Sequence, residues 1–235
     1  MLKAVFFDLD GTLLPFDENE FTKMYFQLLV QKVAPLGYEP KKLIGTIWEG
    51  TKRMMQNDGD YTNEEVFWKY FEEVYGKEHL KDQKIFEDFY RNEFLNTKSI
   101  CKENPYVRKI IDFCKENDLF VILSTNPIFP KIATLGRMNF VGLKEEDFDY
   151  ISTYENSYYS KPNANYFIDL LIKFDLSPDE VIVFGNNEVE DGLCGNQAGL
   201  EVYMVGDYVI ENPKPTKKFD HISLDYIIPT IERNL

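Results

Sequence analysis

Cysteine is scarce in this 235-residue chain: Cys101, Cys114 and Cys194 stand far apart and form no CxxC pair. That spacing argues against a disulfide framework and points to a reducing cytoplasm as the chain's home. Cys114, set among Ile110, Ile111 and Phe113, reads as a small buried hydrophobe. Positive charge is also short. Lysine and arginine number 26 against 40 aspartates and glutamates, a formal net charge of −14. Such a chain is repelled by nucleic-acid phosphate and by anionic lipid, so neither is an expected partner. No apolar run approaches the roughly 20 residues of a membrane-spanning helix. The opening MLKAVFFDLDGT is apolar only as far as Phe7, which does not fit a secretory signal. Internal repeats and low-complexity tracts are absent. The two histidines, His79 and His221, are isolated and read as structural or surface residues.

What is present is a hydrophobic share of 44%, enough for a sizeable core or a core with a smaller insert. Ala4-Val5-Phe6-Phe7 is a continuous apolar run that stops abruptly at Asp8-Leu9-Asp10-Gly11-Thr12. Continuity rather than alternation predicts a strand buried on both faces, as in a parallel sheet. From Pro15 to about Ile100 the period becomes helical, with stripes at Phe21/Met24/Tyr25/Leu28/Leu29, Val66/Phe67/Tyr70/Phe71/Val74 and Ile85/Phe86/Phe89/Tyr90. Turn signals at Pro35-Leu36-Gly37, Asn57-Asp58-Gly59-Asp60 and Gly76 divide this stretch into a bundle of roughly four helices. Beyond Ile100, strands at 119–123, 150–153, 181–184 and 202–205 alternate with helices at 107–114, 130–140, 163–174, 190–198 and 224–231. The expected fold is α/β: a doubly wound, Rossmann-like parallel sheet that binds ligands at the carboxyl ends of its strands.

Three polar clusters come directly after apolar strands: Asp8-Leu9-Asp10-Gly11-Thr12, Ser124-Thr125-Asn126 and Gly185-Asn186-Asn187. In extended chain, residues i and i+2 point the same way, so Asp8 and Asp10 bring two carboxylates together. They repel each other unless a cation or a substrate offsets the repulsion. An Asp-Leu-Asp-Gly-Thr-Leu-Leu segment after an N-terminal strand resembles the first motif of the haloacid dehalogenase-like hydrolase superfamily, most of whose members are phosphatases. The later motifs come in order: a strand ending in Ser124-Thr125, Lys161 in Ser160-Lys161-Pro162-Asn163, and the acidic run after Gly185. The resemblance covers a core of residues 1–14 and 100–235, with 15–99 similar to the family's helical cap.

The resemblance implies that Asp8 is the nucleophile and that Asp10 protonates the leaving oxygen, then deprotonates water. It implies that Thr125, with Ser124 as competitor one residue away, bonds a phosphoryl oxygen, and that Asn126 adds an amide. Lys161 would bind the phosphate and cancel its charge. A carboxylate meeting a phosphate dianion faces repulsion of up to about 4 kcal/mol per charge at 4 Å and an effective dielectric near 20. The implied cofactor is Mg²⁺, held by the Asp8 carboxylate, the Asp10 backbone carbonyl and the acids of the fourth motif.

In that fourth motif the chain departs from the family. Asp191 fits the second acid, but the position of the first is Asn186 or Asn187, depending on alignment. The metal set becomes Asp8, Asp10, Asn186, Asn187 and Asp191, one negative charge poorer and weaker for Mg²⁺. Glu188 and Glu190 read as first-turn acids favoured by the helix dipole. The reading is a Mg²⁺-dependent phosphatase acting on a small phosphorylated metabolite, as a monomer or homodimer. The alternative is a non-catalytic phosphoryl-binding or interaction protein. Carbon–halogen hydrolysis is disfavoured because Asp10 is retained. The aromatic stripes of 15–99 read as helix packing, and Arg53 as a solvated arginine or a contact for a second anionic group.

Overall fold

In the computed structural model, which describes residues 1–214 and 217–235, Ala4–Phe7 forms the first strand, β1, and all four of its side chains are buried. Val5 and Phe7 enter one apolar cluster, Ala4 and Phe6 the other. Both faces of the strand are therefore covered, as its unbroken apolar run predicts. The remaining strands are β2 (Phe120–Leu123), β3 (Tyr150–Ile151), β4 (Val181–Gly185), β5 (Glu201–Val205) and β6 (Asp220–Ile222). Their spatial order is β3-β2-β1-β4-β5-β6, and every neighbouring pair is parallel. The order reverses direction at β1, so the crevice for a ligand opens at the ends of β1, β2 and β4.

Helices α5 (Val107–Glu116) and α9 (Ile227–Glu232) join the cluster on one face of the sheet. Helix α7 (Asn165–Lys173) and the short α8 (Cys194–Gln197) join the cluster on the other. Helix α6 (Lys131–Phe140) comes after β2. Between β1 and α5 lie α1 (Glu18–Val33), α2 (Pro40–Met55), α3 (Asn63–Tyr75) and α4 (Gln83–Arg91), with tighter turns at Lys77–Asp82 and Glu93–Ile100. Polar caps set two of their starts. The Asp17 side chain accepts from the Glu20 amide, and Thr62 with Glu65 closes a reciprocal capping box, each cap contributing about 1 kcal/mol. The buried Asn63 links this helical insertion to the sheet edge, its side-chain amide donating to Pro127 O and Ser160 Oγ.

Two elements differ from the sequence reading. Strand β6 was not expected, because Asp220-His221-Ile222 is an edge segment with no buried residue. The helix expected over 190–198 begins earlier, as a π-helical turn at Glu188–Leu193, before α8. Asn187 causes the shift: its side chain accepts from the Val189 and Glu190 amides, and its carbonyl from the Asp191 and Gly192 amides. Among the described residues, no helix is long and apolar enough to cross a membrane.

Candidate active site

Asp8 leaves the end of β1, Thr125 the end of β2 and Asn186 the end of β4, so three strand ends supply one floor. Gly11 makes this possible. Its φ of +79° turns the chain back, and a Cβ there would lie 2.0 Å from Asn186 Nδ2. Gly185 leaves room for the close approach of Asp191, whose Cγ would lie 2.2 Å from an added Cβ. Lys161 reaches the floor from the loop before α7. Its ammonium, 1% exposed, stands 3.0 Å from Asp8 Oδ1 and 2.5 Å from Asp191 Oδ1. The other Asp191 oxygen accepts from the Asn186 and Asn187 backbone amides.

Burial, reinforced by Asp191 and Asp10, pushes the Asp8 carboxyl up to about 8 even with Lys161 against it. Burial alone would lower the Lys161 ammonium, but Asp191 and Asp8 outweigh it and hold the group protonated. Asp10 is also raised by burial, against the pull of Arg137 and Lys161. Arg137 is a residue the sequence reading missed. It lies fully buried on α6, its Nε 2.9 Å from Asp10 Oδ1 and its guanidinium 4.4 Å from the Phe129 ring centre. None of its three nitrogens has a hydrogen-bond acceptor among the described residues. Among the described residues Asp10 is thus its one charge partner in contact, the contact being electrostatic rather than a directed hydrogen bond. The signal was available: Arg137 lies four residues after the buried Ala133, on the inward face of α6. Removing Asp10 strands that cation. Asp10→Ala is expected to lose about 3 kcal/mol in urea unfolding. Adding Arg137→Met should recover most of it, and a double variant no more stable than the single would show that the pair is not coupled.

Thr125 lines the cavity on this floor, and no protein group bonds its hydroxyl among the described residues. The Ser124 hydroxyl is fully buried without a partner and does not reach the cavity, which favours Thr125 of the two. Tyr166 supports it from below, donating to Thr125 O at 3.1 Å. Asn126, expected as a substrate contact, lines the cavity, and its side-chain oxygen has no partner among the described residues. Its side-chain amide donates to Lys161 O and to Glu190 Oε2, so both hydrogens hold the loop. Asn187, expected as a metal ligand, uses its side-chain oxygen to cap the π-helical turn, accepting from the Val189 and Glu190 amides. Asn186 is oriented differently: its Nδ2 donates to Tyr208 O, turning Oδ1 toward Thr12, whose hydroxyl also lies 3.3 Å from Asp8 Oδ2.

The two glutamates part company. Glu190 lines the cavity and is raised to about 7 by burial. Glu188 faces away, bonding the Asn212 amide and His221. Arg53 lies outside the cavity, paired with Glu73 and packed on the Tyr70 ring. His79 joins Tyr38 and Asp82 in a structural cluster. Burial pushes all three thiols up to about 12, so none is a thiolate near neutral pH.

The cavity holds about 180 Å³. Its floor is acidic, and the helical insertion supplies much of its wall, including Ile47, Trp48, Phe67, Trp68 and Phe86. The aromatic stripes therefore serve two purposes. Phe71 and Phe89 are core, whereas Trp48, Phe67, Trp68 and Phe86 also face the cavity.

Residues 2–199 match the model of the haloacid dehalogenase-like hydrolases. No curated protein matches the sequence. Among solved structures, the chain is similar to a 2-haloacid dehalogenase from Pseudomonas syringae pv. Tomato DC3000, with TM-score 0.65, 18% identity and 99% of each chain covered. It is similar to CbbY from Rhodobacter sphaeroides in complex with phosphate, with TM-score 0.59, 16% identity and coverage of 97% of this chain and 96% of that one. A β-phosphoglucomutase from Clostridium difficile gives TM-score 0.55 at 16% identity, covering 100% of this chain and 97% of that one. At such identities these likenesses speak for the fold. The chain belongs to the haloacid dehalogenase-like hydrolases.

Proposed function

We propose that this hydrolase cleaves small phosphate monoesters by covalent transfer of the phosphoryl group to Asp8. The observation that carries the reading is Lys161 Nζ set between Asp8 and Asp191 on the floor that Asp10 and Thr125 share. The Asp8 carboxylate attacks phosphorus as the bond to the ester oxygen breaks. Asp10, its carboxyl raised by burial, gives that oxygen its proton. Asp10 then takes a proton from water, which attacks the aspartyl phosphate, frees Asp8 and releases inorganic phosphate. Lys161 and the Thr125 hydroxyl hold the equatorial oxygens throughout. We assign residues 1–14 and 100–235 to the catalytic core and 15–99 to a cap that excludes water and bulky phosphoproteins. The phosphate bound by the CbbY relative supports the phosphoryl reading.

The donor set suits Mg²⁺. Four acids (Asp8, Asp10, Glu190, Asp191) stand against two cations, Lys161 and Arg137, which leaves a deficit of positive charge. Among the described residues, however, no three Asp, Glu, His or Cys side chains are grouped to ligate a metal. The Asp8 carboxylate, the Asp10 carbonyl and Asn186 Oδ1, with Asp191 beside them, would hold the ion through hard oxygens and one principal carboxylate, the rest of its shell being water and phosphate. When bound, Mg²⁺ supplies positive charge to the phosphoryl oxygens. Turnover of p-nitrophenyl phosphate with and without Mg²⁺ tests the reading, and an inert, correctly folded protein would leave only phosphoryl binding.

Asn186→Asp restores the missing charge. Calorimetry should show Mg²⁺ bound at least about tenfold more tightly by the variant, since a charge in direct contact outweighs one neutral oxygen. An unchanged Kd would place the metal away from Asn186.

A further inference from the structure

We infer that the cavity selects esters whose alcohol is uncharged and apolar, and rejects those of polyols and those carrying a second anionic group; the inference rests on the phosphatase reading above. The wall facing the acidic floor includes Phe26, Trp48, Phe67, Trp68 and Phe86. The polar tips on this side are already engaged. Trp68 Nε1 donates to Tyr154 OH at 3.4 Å, and the Tyr25 and Tyr90 hydroxyls bond each other at 3.1 Å. Apart from the acids and Thr125, the Thr22, Thr51 and Tyr208 hydroxyls, the Asn126 side-chain oxygen and Glu18 at the rim are what remains for a polar leaving group among the described residues. A polyol would surrender water at several hydroxyls and find few partners, whereas a hydrocarbon surrenders nothing.

Charge points the same way. Among the described residues lining the cavity there is no lysine, arginine or histidine. Lys161 stands on the floor between Asp8 and Asp191, where it serves the reacting phosphoryl group, Arg137 faces Asp10, and Arg53 is turned outward to Glu73. A carboxylate or second phosphate on the leaving group would be buried without a counter-charge, opposite Glu190 and Glu18.

The test uses alkyl esters, because their leaving oxygens match glycerol and hexose phosphates in basicity, as aryl esters do not. The full-length protein with Mg²⁺ is assayed on ethyl, butyl and hexyl phosphate, glycerol phosphate, a hexose phosphate and choline phosphate. We expect kcat/KM to rise by about threefold to fourfold per methylene, the factor that ~0.8 kcal/mol per buried CH₂ implies. Hexyl phosphate should exceed glycerol and hexose phosphates by at least about a hundredfold. Trp48→Ala, at a position 52% exposed and therefore safe for folding, should flatten the alkyl slope. A flat series, or a hexose phosphate that matches hexyl phosphate, overturns the inference. Choline phosphate turned over faster than hexyl phosphate overturns it in favour of a cationic alcohol. If no ester is cleaved, the hydrolytic reading falls by itself. Calorimetric affinities for the same series then decide the selectivity: affinity rising with chain length upholds it, and no trend overturns it.

Discussion

Asp8→Asn should lower kcat for p-nitrophenyl phosphate by at least ~10⁴-fold, the scale on which loss of a covalent nucleophile is felt, while the protein stays folded. An amide has the carboxylate's shape but cannot form the acyl phosphate, and here it also relieves a burdened site. The Asp8 carboxyl is 5% exposed and is raised to about 8 by burial, with Asp191 and Asp10 adding to it. An acid whose folded pKa lies above its unfolded value destabilises the fold wherever it is forced to ionise. The penalty grows from the unfolded pKa near ~4 up to the folded one and is absent below both. Metal-free Asp8→Asn should therefore melt higher than the native chain at about pH 9, with the gap closing by about pH 4. Mg²⁺ should raise the melting temperature of the native chain far more than that of the variant. Turnover that survives the change would assign the nucleophile elsewhere. A variant less stable at alkaline pH would mean that the Asp8 carboxylate is held by more than Lys161.

Much of the fold, and of the strand ends that gather at the candidate site, was legible in the sequence, and the reason is local. A buried parallel strand needs an unbroken apolar run, and the residues at its carboxyl end must turn polar where the sheet meets solvent. Ala4–Phe7 and Val181–Phe184 therefore announce both themselves and the polar edge that follows them. The helical insertion was legible for a similar reason, since an apolar face recurring every three or four residues serves nothing else. What escaped was set by partners distant in sequence. Arg137 reads as an ordinary helix residue until α6 is seen to carry it beneath Asp10, more than a hundred positions earlier in the chain. The choice between Asn186 and Asn187 could not be made by counting, because it turns on a π-helical turn that Asn187 itself caps. Asn126 looked like a phosphate donor because its place in the strand-end loop is right. Its hydrogens are drawn off by Lys161 O and by Glu190, whose raised carboxyl reads from sequence as a first-turn acid favoured by the helix dipole. Edge strand β6 has no buried face and so left no pattern to find.

Lys161→Met should be the most damaging single change to the fold as well as to the chemistry. The lysine is 1% exposed and its ammonium touches two carboxylates that are themselves buried. With it gone, Asp8 and Asp191 face each other without a counter-charge, and breaking a buried pair from one side costs about 3–5 kcal/mol. Asp8, already raised by burial, would then titrate still further above its unfolded value. The loss should therefore be largest at alkaline pH and shrink as pH falls toward ~4. Combining Lys161→Met with Asp191→Asn should restore much of the stability, since of the two carboxylates that Lys161 touched only Asp8 then remains. It should not restore turnover. On the proposed mechanism the ammonium also offsets the repulsion between Asp8 and an incoming phosphate, and loss of one such preorganised group lowers kcat by roughly 10²–10³-fold. The stabilised double variant separates the two roles. It is expected to be folded, to bind inorganic phosphate weakly and to turn over slowly even at saturating Mg²⁺. A double variant with native kcat would reduce Lys161 to a structural counter-ion for Asp191 and leave the charge of the phosphoryl group to be met by the metal alone.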